Sequence, residues 1–308
     1  MSLPKNYKNS MFSEKKVIQA FLYILLVLSL NGCIMDDMSG CSQYELTVKA
    51  VTSDGEDISL DSFHSLGVYL FADSSFVKVL YPDENGKYLL GYDKGVSLTF
   101  VAWGNLSSDS IIPPVLKIGT NIKDALVQLK KNGEYSYSSP ELFYASQTIS
   151  SSSTRSLDVE SDTVSLLLKR KVGALTIMTK NLELYFGKSD NYRYVIRETK
   201  NTLNFLGELT GEEANYSPYS YFDENRILTA PAFNVFPSET DGQIEVDIYR
   251  GDTKVYATTT DSSGNPIKVL PGKQSNIYIS IDASIYSQSL GSCGTKRGVL
   301  ILFIYAKI

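Results

Sequence analysis

Apolar and polar residues alternate along many stretches of this chain, and this alternation restricts the possible folds more than any other feature. It runs through residues 44–48, 66–70, 96–100, 175–177, 192–196, 244–248 and 277–281. Neighbouring side chains of a β-strand point to opposite faces of a sheet, so the alternation predicts half-buried strands. Residue pairs that suit tight turns lie between them, among them Asp54-Gly55, Asn85-Gly86, Asn132-Gly133 and Asp241-Gly242. We therefore expect a mainly β protein made of antiparallel β-sandwiches.

One helix is predicted, between residues 120 and 132, where it would cover one end of the first sandwich. Thr120 or Asn121 can cap its start, and Asn132-Gly133 ends it. Its apolar face would consist of Ile122, Leu126 and either Leu129 or Lys130.

The chain has 308 residues and is long enough for two domains of ordinary size. The cations Lys169-Arg170-Lys171 mark the predicted boundary, because one series of strands ends there and another begins directly after it. The prediction is an N-terminal sandwich of residues 44–168 and a C-terminal sandwich of residues 169–308. The Ser- and Thr-rich stretch 147–156 is predicted to be a long loop inside the first sandwich.

The first 32 residues have the order of a secretory signal peptide. Lysines at positions 5, 8, 15 and 16 precede an apolar run from Val17 to Leu30. That run is about fourteen residues long, whereas a membrane-spanning helix needs roughly 20, so cleavage is favoured over an uncleaved anchor helix. Met11 offers an equally good start of the signal, and the true start codon stays open.

Cys33 directly follows this signal. Leu30 at position −3 and Gly32 at position −1 resemble the lipobox of bacterial lipoproteins, in which the cysteine thiol receives diacylglycerol and the peptide is cut before it. The alternative is a chance cysteine at an ordinary cleavage site. We interpret residues 1–32 as a lipoprotein signal peptide and residues 33–43 as a lipidated tether. Cleavage removes four lysines and one glutamate and leaves 25 basic and 33 acidic residues.

The residues that catalysis or metal binding would need are scarce. His64 is the only histidine, and the chain has three cysteines, so a zinc site is not predicted. No Gly-x-Ser-x-Gly elbow or phosphate-binding loop occurs. The carboxylate pairs Glu212-Glu213 and Asp223-Glu224 lie in polar segments and suit a solvated surface. We expect no enzyme activity, no metal and no cofactor. The chain has 29 basic and 34 acidic residues and no basic stripe, so nucleic acid is not an expected partner.

Trp103 is the only tryptophan, beside 21 tyrosines. Stacked on a sugar, such rings would suit a surface glycan-binding lipoprotein. Trp103 lies among core-like residues, however, so buried packing is the favoured interpretation. Exposed coplanar aromatic rings would favour glycan binding, whereas a weakly held strand edge would favour assembly with another protein.

Several segments, taken in order along the mature chain, resemble the FimB/Mfa2 family of fimbrial anchor lipoproteins of Bacteroidales. They are Cys33 with Asp36-Asp37 and Cys41; residues 66–71 and 86–88; residues 100–106; residues 141–144; residues 169–173; Asn204-Phe205 with 209–212; residues 233–237; and residues 261–273. The resemblance implies two transthyretin-like β-sandwiches in tandem, held by lipid at the outer membrane and exposed at the cell surface, at the base of a strand-exchanged fimbria.

The resemblance also implies a partner, the first shaft subunit of the fimbria, which would bind through main-chain pairing of strands. Two other functions stay open. One is the surface glycan-binding lipoprotein. The other is a shaft or tip subunit, which in that system is matured by cleavage after a basic residue such as Arg155.

The chain departs from the family pattern after about residue 286. The apolar run 299–305 can be a closing core strand, a strand offered to a neighbour, or a tail from an altered reading frame. Cys293 lies in the same segment. Because Cys33 is reserved for lipid and export leads to an oxidising compartment, Cys41 and Cys293 are expected either to pair or to be both free and buried.

Overall fold

Strands make up most of the chain, which confirms the prediction of a mainly β protein. The computed structural model describes residues 41–93, 95–150, 162–239, 242–281 and 299–304. In chain order the strands are β1 (Cys41–Val51), β2 (Asp57–Ile58), β3 (Leu66–Ala72), β4 (Ser75–Leu80), β5 (Tyr88–Asp93), β6 (Ser97–Gly104), β7 (Ile111–Ile112), β8 (Leu126–Leu129), β9 (Lys131–Asn132), β10 (Tyr135–Ser136), β11 (Phe143–Ser150), β12 (Asp162–Arg170), β13 (Gly173–Lys180), β14 (Tyr192–Asn204), β15 (Leu209–Tyr216), β16 (Tyr221–Phe222), β17 (Leu228–Val235), β18 (Glu245–Arg250), β19 (Thr253–Thr258), β20 (Gln274–Ile281) and β21 (Val299–Ile304). Within the same residues, a 3₁₀ turn spans Leu60–Ser62 and a short helix, α1, spans Leu182–Phe186.

Eight strands, the last of which ends at Arg170, form one sheet in the order β2-β1-β12-β11-β6-β3-β4, with β5 paired to β1. β1 and β12 run parallel, whereas β3, β6 and β11 pair antiparallel. The middle strand β6 is buried on both faces. Phe100 on one face packs in a core built from residues before 169, and Trp103 on the other face packs in a second, larger core.

Two further sheets share this larger core. One has the order β16-β17-β13-β20-β21, and the other has the order β19-β18-β14-β8-β7 with β15 paired to β14. Their apolar side chains alternate along the strands, so that Ile177 and Ile277 of the first sheet lie in the same core as Tyr194 and Val246 of the second. The alternation read from the sequence thus gives the buried face of each sheet.

The helix predicted between residues 120 and 132 is wrong. This segment contains a turn and the strand β8, which pairs with β7 and with β14. Val127 and Leu129 are buried, whereas Leu126 is exposed. Leu126 and Leu129 would share a face of a helix, but they point to opposite faces of a strand. Because β8 pairs with a strand on each side, this segment is a strand.

The strands β7 and β8 precede the predicted boundary at residue 169, but they belong to the sheet of β14, which follows it, and β8 pairs with β14 directly. The division into domains of residues 44–168 and 169–308 stays a prediction. Over the described residues, no helix has the length and apolar character needed to span a membrane.

Candidate functional site

The C-terminal edge of the five-stranded sheet is the candidate site for assembly. β20 runs parallel to β13, with Ala174 opposite Gln274 and Lys180 opposite Ser280. On its other side β20 pairs antiparallel with β21, from Asn276 opposite Ile304 to Ile281 opposite Val299. β21 is last in the strand order, so this side of the sheet ends in a strand that arrives from the C-terminal end of the chain.

β20 is fixed to β13 at both ends. At its start, the main-chain N–H of Ala174 donates to the oxygen of Lys273 over 2.9 Å. At its end, the side-chain amide of Asn181 donates to the oxygen of Ile281 over 2.8 Å. Between these points Ile277 and Ile279 are buried. β20 is therefore held by contacts that do not involve β21.

The segment that leads into β20 packs closely against Gly173. A Cβ atom on Gly173 would lie 2.3 Å from a Val269 methyl group and 2.7 Å from the Leu270 oxygen. The segment that leads into β20 thus crosses the start of β13 at a distance that only glycine permits.

A charged network lies on the six-stranded sheet. The Asp247 carboxylate is buried and accepts from Arg197 Nε at 2.8 Å, and Lys254 Nζ lies 3.0 Å from the same oxygen. Burial alone would lower the pKa of Arg197, but hydrogen bonds to Asp247 and Tyr249 outweigh it and raise that pKa. Burial and the neighbouring Asp247 raise the pKa of Glu245. Both cations contact Asp247 Oδ2, whereas Asp247 Oδ1 is buried without a hydrogen-bond partner, and the network is structural in character.

Of the cysteines named from the sequence, Cys33 and Cys293 lie outside the described residues. Cys41 is the first residue of β1. Lipid attachment at Cys33 and the pairing of Cys41 with Cys293 stay predictions.

The residues examined for catalytic chemistry are dispersed. His64 is exposed in the loop before β3, and its main-chain N–H donates to Asn105 Oδ1. Glu212 and Glu213 are exposed on β15, and Glu212 pairs with Lys131 at 2.8 Å. Trp103 is fully buried, as predicted, and so offers no sugar platform. In the part of the chain that the structure describes, no group of three or more His, Cys, Asp or Glu side chains could hold a metal ion.

A cleft rich in tyrosine escaped the sequence reasoning. Residues 135–138, 216–219 and 231–233 line it, together with Asn132. A usable signal was present, since Tyr and Ser alternate over residues 135–138 and recur around Pro218 in residues 216–219. Only the fold shows that these two segments, about 80 residues apart, line one cleft.

Comparison with known proteins identifies a curated relative. The major fimbrium anchoring subunit FimB of Porphyromonas gingivalis is 24% identical over 285 residues. The alignment covers 88% of this chain and 92% of that protein.

Solved structures share the fold. The fimbrial anchor protein Mfa2 from Porphyromonas gingivalis superposes with a TM-score of 0.62 at 15% identity, over 85% of this chain and 97% of that one. A candidate adhesin from Bacteroides ovatus gives a TM-score of 0.56 at 15% identity, over 79% of this chain and 90% of that one.

The family profile described as fimbrillin-A associated anchor proteins Mfa1 and Mfa2 matches residues 38–286. That range includes all strands from β1 to β20 and ends before β21. It confirms the resemblance seen in the sequence, and the chain belongs to the family of fimbrillin-A associated anchor proteins Mfa1 and Mfa2.

Proposed function

We propose that this protein is a non-catalytic lipoprotein of the outer membrane that anchors a fimbria to the cell surface. The observation that carries the proposal is the family match over residues 38–286, whose relatives include an anchoring subunit aligned over 92% of its length. Two parts of the chain have separate roles. Lipid at Cys33 attaches the protein to the membrane, and the edge of β20 binds the first shaft subunit.

The lipid part follows from the sequence before β1. One acyl chain gives only marginal membrane binding, and each further buried methylene adds about 0.8 kcal/mol, so a cysteine carrying several chains is held firmly. The protein surface cannot replace this attachment. After cleavage before Cys33, 25 basic residues face 33 acidic ones, and an acidic body is repelled by anionic lipid.

The pairing part rests on the edge of β20. A partner strand that adds to a sheet gains main-chain hydrogen bonds, while its alternate side chains provide specificity. β20 is held to β13 at both ends, and β21, which covers its other edge, lies beyond the residues that the family profile matches. We infer that β21 protects this edge until a strand of the shaft subunit replaces it.

The register specifies what the incoming strand needs. Directly opposed residues of an antiparallel pair share a face of the sheet. The partners of the buried Ile277, Ile279 and Ile281 are positions 303, 301 and 299. A shaft strand that takes the place of β21 therefore needs apolar residues at three alternate positions.

A reversible cross-link tests this exchange. Ser280 and Leu300 are opposite each other. In a protein with Cys41→Ser and Cys293→Ser, the double change Ser280→Cys and Leu300→Cys should form a disulfide that locks β21 onto β20. The locked protein should fail to bind purified shaft subunit, and reduction should restore binding.

The matched control lies at the other edge of the same sheet. Tyr221 and Thr229 are opposed in β16 and β17, so Tyr221→Cys with Thr229→Cys locks an edge that the proposal does not use. Shaft binding should be unchanged by that lock. Equal binding by the oxidised and reduced Ser280→Cys, Leu300→Cys protein would contradict exchange at β20.

A truncation distinguishes two cases: β20 accepts a strand from the shaft subunit, or β21 is donated to the shaft subunit. Removal of residues 298–308 should increase the rate of shaft binding, since it leaves the β20 edge open. Loss of binding on truncation would instead mean that β21 is the strand given to the partner.

A further inference from the structure

The tyrosine cleft has a preformed shape. Its volume is about 520 Å³, within the range of small-ligand sites. Its lining consists of residues 135–138, which include β10, residues 216–219, and residues 231–233 of β17; the first two segments are called its walls and the third its floor. The cleft is distinct from the β20 edge, since β16 and β17 lie at the opposite side of that sheet.

Hydrogen bonds fix both walls. Ser138 Oγ donates to the main-chain oxygen of Asn234 and accepts from its N–H, at 3.0 and 3.1 Å. On the other wall, Tyr216 OH accepts from the N–H of Phe236 at 3.1 Å, and Ser217 Oγ donates to the oxygen of Tyr194. A ligand would therefore meet walls that are already in place, which lowers the entropic cost of binding.

Aromatic rings are exposed at the cleft although most large apolar side chains of the fold are buried. Tyr219 is 75% exposed and Tyr137 is 47% exposed, one on each wall. Tyr221, next to the cleft, is 44% exposed, and its ring centre lies 5.8 Å from that of Tyr219 with only 30° between the two planes. At this distance the two rings overlap in part, so Tyr221 supports the exposed ring of Tyr219.

The polar groups of the cleft are uncharged. None of the described residues that line it is Asp, Glu, Lys or Arg, in a chain where 20% of residues are charged. Hydroxyl groups of Tyr and Ser dominate instead. Tyrosine offers a rigid amphipathic surface and serine offers adaptable hydrogen bonds, the combination that antibody binding loops use. A neutral ligand rich in hydroxyl groups matches this lining.

We propose that this cleft binds a neutral carbohydrate. One face of a pyranose ring carries C–H groups that pack against an aromatic ring, and its hydroxyl groups bond to Tyr and Ser side chains at the edge. Tyr219, supported by Tyr221, would stack on one sugar unit, and Tyr137 would contact the same ligand.

An extended peptide fits the same cleft less well. Strand addition needs a regular row of main-chain donors and acceptors. At the floor, Pro231 has no N–H to donate, and the pairing of β13 with β17 changes register between Leu175 and Ile177, opposite this point. The floor therefore lacks the regular edge on which a peptide strand would pair.

Affinity electrophoresis of the full mature chain through gels that contain a soluble polysaccharide tests the proposal. The probes are the neutral polymers starch, dextran, galactomannan, arabinoxylan and yeast mannan, with anionic polygalacturonate for comparison. At least one neutral polymer should retard the protein, and polygalacturonate should not. For a retarding polymer, Tyr219→Ala and Tyr137→Ala should each weaken binding about tenfold, whereas Tyr219→Phe should retain it.

Tyr81→Ala is the matched control, because Tyr81 is 79% exposed and lies outside the cleft. Its binding should equal that of the unchanged protein. The proposal is overturned if no neutral polymer retards the protein, or if Tyr219→Ala and Tyr81→Ala behave alike. It is also overturned if Tyr219→Ala abolishes binding of purified shaft subunit, which would make the cleft a protein-docking surface.

Discussion

The hydroxyl of Tyr144 donates a hydrogen bond to the main-chain oxygen of Phe205 over 3.1 Å, although 61 residues separate the two in sequence. The ring centre of Trp103 lies 4.7 Å from that of Tyr144 and 6.0 Å from that of Phe205. Lys171 Nζ lies over the Tyr144 ring, 5.4 Å from its centre. This group joins β11 of the first sheet to the turn between β14 and β15, so the two halves of the chain share an apolar contact here.

Gly207→Ala should destabilise this contact. A Cβ atom on Gly207 would lie 2.6 Å from Tyr144 Cε1, and the φ angle of 76° disfavours other residues. We expect a loss of about 2–4 kcal/mol in the free energy of unfolding, measured by urea denaturation. Gly55→Ala is the control, because φ is 89° there but no atom lies within 4 Å, and about 1 kcal/mol is expected. Equal losses would show that packing against Tyr144 has no part in the effect.

Alkaline pH should weaken the same contact. Burial raises the pKa of Tyr144 to about 12, whereas an unfolded tyrosine ionises near pH 10. The folded state therefore favours the neutral phenol, and the resulting stability is present below pH 10 and is lost as the pH rises towards 12. Tyr144→Phe should be about 1 kcal/mol less stable at pH 8, and this deficit should narrow between pH 10 and 12. If urea denaturation shows the same deficit across this pH range, the pKa of Tyr144 is not raised in the folded state.

Asp247→Asn should destabilise the six-stranded sheet. The change removes a buried negative charge that faces Arg197 and Lys254, so both cations lose their common partner. We expect a loss of about 2–3 kcal/mol in thermal or urea unfolding, below the full cost for a buried pair because both cations are partly exposed. Asp252→Asn is the control, since Asp252 is exposed and lies 3.9 Å from Arg193, and no measurable change is expected. An unaltered midpoint for Asp247→Asn would mean that the network adds nothing to stability.

Cys33→Ala should release a folded protein, with any fimbriae built on it, from the cell into the medium. Folding should survive because Cys33 precedes the first strand, which begins at Cys41. Fractionation and electron microscopy of the mutant cells measure both effects. Retention in the outer membrane would contradict lipid anchoring, and release of the protein while fimbriae stay attached would contradict the fimbrial role.

Cys41 and Cys293 should resist alkylation in the native protein, either because they form a disulfide or because both thiols are buried. Mass spectrometry without reductant distinguishes these two states. Such a bridge would close a loop of about 250 residues and would add at most a few kcal/mol in the chain-entropy account. Rapid alkylation of Cys293 in the native protein would contradict both states.

The sequence by itself determined the class of fold and the buried face of its main strands. Alternation with a period of two is a local property, so Tyr44, Leu70, Ile248 and Ile279 could be assigned to the core without knowledge of their neighbours. The ordered family segments likewise pointed to the family that the profile match then showed.

Tertiary structure decided what depends on contacts between distant segments. Leu126 and Leu129 suit a helix locally, but pairing with β7 and β14 makes β8 a strand, because an added ladder of main-chain hydrogen bonds outweighs a weak local preference. The tyrosine cleft and the β20 edge also depend on such contacts. The cleft brings together residues about 80 apart in sequence, and the pairing of β20 with β13 joins residues about 100 apart. No local pattern indicates which distant strand a given strand will pair with.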